Sequence, residues 1–183
     1  MTRILLSIAT TLLLSGCSSI VMPSLPYTAA NTAKGVGAIQ VKDVTYVLAE
    51  SGMVTPSQLF HSNSRFVINM PEPIADYVRQ ALAAELQRSG FSTEGNAPLL
   101  LSCKVTRLGI HQFALGIDSV FAGELSLSRQ DGTLIFKGPV DLKRNHGLGT
   151  SLKGVRKDFD SMIAEAYDRL MAAGPVKAVL TAP

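Results

Sequence analysis

His61, His111 and His146 are the side chains best suited to bind a metal or move a proton near neutral pH. No two of them stand three or four residues apart, none neighbours a cysteine, and none belongs to an H-E-x-x-H pattern. Any metal site would have to be assembled by the fold, so they read as surface or hydrogen-bonding histidines, with no metal and no cofactor expected. Gly147-Leu148-Gly149-Thr150-Ser151-Leu152-Lys153-Gly154 precedes a helical pattern, and helix N-termini favour anions. Its Lys153 is followed by Gly154 instead of Ser or Thr, so the phosphate-cradling spacing fails. Arg144, His146, Lys153, Arg156 and Lys157 nearby read as a flexible basic loop, with contact to a lipid phosphate as the alternative. Asp158 and Asp160 are two residues apart, hence on different helix faces, and suit the positive helix N-terminus better than paired acid–base work. No G-x-S-x-G elbow occurs. No catalytic residue is expected.

The N-terminus carries a more specific chemistry. Arg3 precedes the mostly apolar run Ile4–Leu14, then Ser15-Gly16-Cys17. A membrane-spanning helix needs about 20 apolar residues, so this run is too short to span and has the length and flanks of an export signal. Leu14-Ser15-Gly16-Cys17 resembles the lipobox of bacterial lipoproteins. The resemblance implies that residues 1–16 are a signal peptide removed before Cys17. It also implies that the Cys17 thiol takes diacylglycerol and that its new amine is acylated. Two or three acyl chains anchor firmly where one is marginal, so a membrane partner through Cys17 is expected. Ser18 stands where sorting to the inner membrane uses Asp, which implies the periplasmic leaflet of the outer membrane.

The two cysteines agree with this. With Cys17 lipidated, Cys103 has no disulfide partner. It alternates with Leu99, Leu101 and Val105 on one strand face, which suggests a buried structural thiol. The 183 residues have room for one domain, and a net charge of +3 with scattered Lys and Arg excludes a nucleic-acid track.

Residues 17–37, with Pro23, Pro26, Gly35 and Gly37, read as a lipidated start and flexible tether. A domain is expected over 38–174 and a short tail over 175–183. Ile39–Leu48 is strand-like, whereas 49–72 shows little pattern beyond Arg65-Phe66-Val67-Ile68 and should hold a short strand or helical turn. Pro73–Ser89 is an amphipathic helix with Pro at its start and Gly90 as its stop. A strand is expected over Leu99–Leu108. Another should run through Phe121–Leu127 after a loop at Gly116–Ser119. Asp131-Gly132 predicts a hairpin into Thr133–Lys137, with Pro139 ending the pairing or marking an edge. Val155–Ala172 is a second amphipathic helix, with Glu165 placed to pair with Arg169. The fold class is α+β: a two-layer sandwich of a largely antiparallel sheet with two helices on one face.

The lipobox, the early strand, Pro73–Leu82 with Leu86 and Gly90-Phe91, and the following Leu99–Val105 together form a pattern. It resembles the small periplasmic lipoproteins of the YajG type and the PqiC-like auxiliary lipoproteins of envelope transport systems. The resemblance implies an accessory or binding role in the cell envelope and supplies no catalytic site. Phe113, Leu115, Ile117 and Phe121 are the candidate surface for a protein partner or a lipid, if a loop near Gly116 exposes them. Two core strands would bury them instead. A periplasmic enzyme with a fold-assembled site and a self-assembling structural lipoprotein remain alternatives.

Overall fold

The computed structural model describes residues 18–30, 35–62, 66–113, 116–147 and 149–181. Its elements in order are β1 (Ser18–Val21), β2 (Ile39–Tyr46), α1 (Val47–Glu50), β3 (Phe60–His61), β4 (Phe66–Asn69) and α2 (Ile74–Arg88). β5 (Leu99–Phe113), β6 (Gly116–Arg129), β7 (Leu134–Gly147), α3 (Leu152–Ala172) and α4 (Gly174–Leu180) follow.

The main sheet runs β2-β5-β6-β7, with β3 beside β5 beyond the end of β2. The long β5–β6 and β6–β7 pairs are antiparallel, while β2 and β3 join β5 in parallel. The fold is therefore α+β with a mostly antiparallel sheet and helices packed on it. Alternation explains the layering. Leu99, Leu101, Cys103, Val105, Leu125 and Leu127 point one way and are buried with the α2 and α3 stripes, while Lys104, Glu124 and Lys137 point the other way. A bulge between Val105 and Arg107 shifts the phase, so that Leu108 and Ile110 keep the inner face.

α2 contributes Ile74, Tyr77, Val78, Ala81, Leu82 and Leu86 to the core, and α3 contributes Val155, Phe159, Met162, Ile163, Ala166, Tyr167 and Leu170. α2 stops where expected, with Gly90 taking φ +90°, a conformation that favours glycine. Gly109 serves a different need: a Cβ there would run into the Phe60 carbonyl, so only glycine lets β3 lie against β5.

Several expectations are corrected. Residues 18–30 are not a free tether. β1 pairs in parallel with β4, Met22 is buried in the core, and Leu25 and Tyr27 are hydrogen-bonded to α3 and α2. The apolar Ile20-Val21-Met22 run supplies the reason, since it can bury a side chain only by docking. The tail is also structured: Gly174-Pro175 ends α3 but starts α4, with Pro in its first turn and Val176 buried. β5 continues to Phe113 and β6 begins at Gly116, so residues 116–119, expected to form a loop, belong to a strand. β7 runs through Pro139, opposite Glu124, and on to Gly147. As the edge strand it tolerates a residue with no N–H to donate. The 49–72 stretch holds the short elements expected of it, part of α1 and the strands β3 and β4.

Candidate functional site

The four apolar candidates do not form one patch. Phe113 is exposed at the end of β5, at 37% of its full area. Phe121 is 1% exposed and belongs to the core, and Ile117 packs half-buried against it. The pleat separates them: Gly116, opposite Phe113, faces outward, so Ile117, Ser119 and Phe121 face the helices. Phe121 is thus corrected from a binding residue to a packing residue. Leu115 and Cys17 lie outside the described residues.

The same strand carries two polar residues that the sequence reading passed over, Asp118 and Ser119, and the pleat sends them to opposite faces. Both are buried. On the inner face the Ser119 hydroxyl donates to Oδ2 of Asp158 at 3.1 Å and lies 3.4 Å from Nε2 of His146. That same nitrogen of His146 also contacts the same Asp158 oxygen. Serine, histidine and aspartate therefore meet, but as a closed triangle. A nucleophilic relay needs the carboxylate on one imidazole nitrogen and the serine on the other. Here one nitrogen faces both, and the buried hydroxyl donates its hydrogen bond to the carboxylate. The arrangement ties β6 and β7 to the first turns of α3.

On the outer face Asp118 sits in one rung with His111 and Asn145. Lys143 Nζ approaches Oδ2 at 2.5 Å, Asn145 donates to Oδ1 at 2.9 Å, and His111 Nδ1 lies 3.9 Å from Oδ2. Burial alone would push this carboxyl up, but the hydrogen bonds from Lys143 and Asn145 outweigh it and hold it below its ordinary value. Two adjacent polar residues inside the otherwise apolar stretch Ile117–Ala122 were the signal that could have found this pair of clusters.

A third cluster joins the helices to the N-terminal segment. Arg156 is 2% exposed, and its guanidinium lies 3.9 Å from the centre of the Tyr77 ring. It donates to Glu72 at 2.9 Å and reaches the Leu25 carbonyl at 3.4 Å. Tyr77 donates to Asp160 at 2.6 Å. Burial raises the Asp160 carboxyl, with Tyr77 and Arg156 opposing the shift. The basic residues noted around 144–157 are thus dispersed: Arg144 pairs with Glu165, His146 with Asp158, and Arg156 with Glu72. Glu165 also pairs with Arg169 at 2.6 Å, as its spacing predicts. Lys153 and Lys157 line an open groove of about 530 Å³ beside Leu25, Pro26 and Ala30.

Cys103 is buried, and burial pushes its thiol up to about 12, which suits packing and not nucleophilic attack. Among the described residues, no three His, Cys, Asp or Glu side chains converge as metal ligands, and no helix is long and apolar enough to cross a membrane.

No family model matches the chain, and no curated protein matches its sequence. Solved structures match its fold. A Xanthomonas campestris protein of family DUF330 superposes with a TM-score of 0.65 at 10% identity, over 88% of this chain and 97% of that one. An uncharacterized protein superposes with a TM-score of 0.51 at 16% identity, over 90% and 99%. Rare lipoprotein B from Shewanella oneidensis gives a TM-score of 0.42 at 12% identity, over 56% and 87%. The first two share the architecture of nearly the whole chain. At these identities the likeness is one of fold.

Proposed function

We propose that the chain is an exported lipoprotein of the bacterial envelope, held by acyl chains on Cys17 in the periplasmic leaflet of the outer membrane. Its α+β domain acts as a non-enzymatic accessory factor that binds a protein partner or a lipid in envelope maintenance or lipid transport. This is the role implied by the resemblance of its sequence to the YajG-type and PqiC-like lipoproteins.

One observation carries the reading. The lipobox-like Leu14–Cys17 is followed at once by Ser18, the first residue of β1, so the modification point and the folded domain meet without a spacer. An export signal ending on a cysteine beside a small domain gives that domain a lipid anchor. The closed Ser119–His146–Asp158 triangle supports a binding role over hydrolysis, because its nucleophile is neither exposed nor paired with a free base.

The test is expression of the full chain and of Cys17→Ser in a Gram-negative host, with intact-mass analysis and density separation of the two membranes. The expected result is a mature chain starting at acylated Cys17 in the outer membrane, and an unacylated, membrane-free Cys17→Ser protein. Equal lipid content in both would overturn the anchor. Crosslinking of the anchored form should recover a second envelope component. Recovery of this chain alone would favour self-assembly.

A further inference from the structure

We propose that the end of the domain bearing Phe66 and Phe113 docks on the phospholipid surface that holds the anchor, so that the domain lies against the bilayer instead of hanging from it. This rests on the reading of Cys17 as the lipid-carrying residue and adds the face and the depth of contact.

The geometry starts from the exit point of the chain. Cys17 is one peptide unit, about 3.8 Å between α-carbons, from Ser18. Ser18 is already fixed in β1 opposite Phe66. The Phe66 ring lies 6.1 Å from the His61 ring, and His61 pairs with Ile110 on β5. The Ser62 hydroxyl accepts the Gln112 N–H at 2.8 Å, which ties this corner to the last residues of the strand. The anchor therefore leaves the fold level with Ile110, three residues short of Phe113. With a single residue between the strand and its lipid, what surrounds this exit is held near the membrane surface.

What surrounds it suits a bilayer. Phe66 and Phe113 are 39% and 37% exposed. Behind Phe113 on the same outer face stand His111 and Lys143, level with positions two and four residues back from the end of the β5–β6 pair. At about 3.3 Å per residue these lie roughly 7 and 13 Å from the tip, the depth of headgroups when a tip reaches the acyl boundary. The one carboxylate among them, Asp118, is buried beneath Lys143, whose exposed ammonium keeps N–H groups for phosphate oxygens beside the one it gives Asp118. The opposite end of the sheet is the Asp131-Gly132 turn, which carries exposed Leu134 far from Ser18.

The chain has no tryptophan, so a single introduced one reports its own surroundings. Full-length Phe113→Trp, Phe66→Trp and Leu134→Trp proteins, purified from membranes, are reconstituted into phosphatidylethanolamine/phosphatidylglycerol vesicles with or without acyl-brominated lipid. Intact mass reports acylation of Cys17 in each. The expected result is about a twofold or greater loss of emission at positions 113 and 66, as for groups at the acyl boundary, and no loss at 134. Acylated protein with no more quenching at 113 and 66 than at 134 overturns the docking face while the anchor stands. Blue-shifted emission without bromine quenching overturns it in favour of a protein contact. A chain lacking acyl mass on Cys17 removes the anchor reading, and this inference with it.

Discussion

The hydroxyl of Tyr27 donates to Oε1 of Glu85 at 2.5 Å, and the N–H of Ala30 donates to the same oxygen at 3.0 Å. Glu85 is a fully buried carboxylate on α2, fifty-eight residues from Tyr27. Burial and then the Glu85 carboxylate push the Tyr27 phenol well above its ordinary value, so it remains a donor at every working pH. Tyr27→Phe removes that donor from a buried acceptor and should cost about 1–3 kcal/mol of stability. Urea unfolding measures the loss, and limited proteolysis should show earlier cleavage within residues 18–30. An unchanged midpoint and unchanged cleavage would mean that the segment is held by Met22 and β1 alone.

Arg156 offers the sharpest stability test. Its pair with Glu72 spans α3 and the approach to α2, with the Tyr77 ring beneath. Arg156→Ala removes the charged hydrogen bond to Glu72 and opens space in the core, and should cost about 1.5–3 kcal/mol. Arg156→Lys should recover only part of this, because an ammonium cannot meet Glu72, the Leu25 carbonyl and the ring together as a planar fork does. Thermal melts of both variants check the order.

Asp118 sets an acid limit. Its folded value lies below the ordinary 3.8, so its contribution is complete above that value and is lost as pH falls through the lower folded value. Lys143→Ala removes the strongest opposing partner and leaves the burial. The Asp118 carboxyl should then rise, and the acid-unfolding midpoint should move to higher pH. Carboxyl-selective NMR titration of the two proteins reads the shift. An unmoved Asp118 would show that Asn145 and His111 suffice.

Ser119 should be chemically silent. Its hydroxyl is buried and donates to Asp158, so a fluorophosphonate probe should leave the folded chain unlabelled. Ser119→Ala should lower stability by about 1 kcal/mol through the lost hydrogen bond. Stoichiometric labelling at Ser119 would show that the triangle opens into a working nucleophile and would favour the enzymatic alternative.

Much was readable before folding because it is local. The 3.6-residue stripes of α2 and α3 and the two-residue alternation through Cys103 placed core and layers correctly. Asp131-Gly132 and Gly90 marked a turn and a helix end through backbone preferences that need no partner. The lipobox-like segment is likewise a linear pattern, which is why its expectation could be stated from sequence, although Cys17 itself lies outside the described residues.

Tertiary contacts decided the rest. Residues 18–30 have the composition of a linker, and only pairing with β4 and the distant Glu85 makes them part of the domain. Phe113 and Phe121 are equally apolar in sequence, but β5 runs on to Phe113 and pairs it with Gly116. That register sets one ring outward at the tip and the other in the core. The clusters at Asp118 and Ser119 draw their partners from β5, β7 and α3, separated by up to thirty-nine residues. Periodicity records which face a residue takes within its own element. Which elements meet, and where a chain end leaves the fold, depends on packing between distant segments that no local pattern encodes.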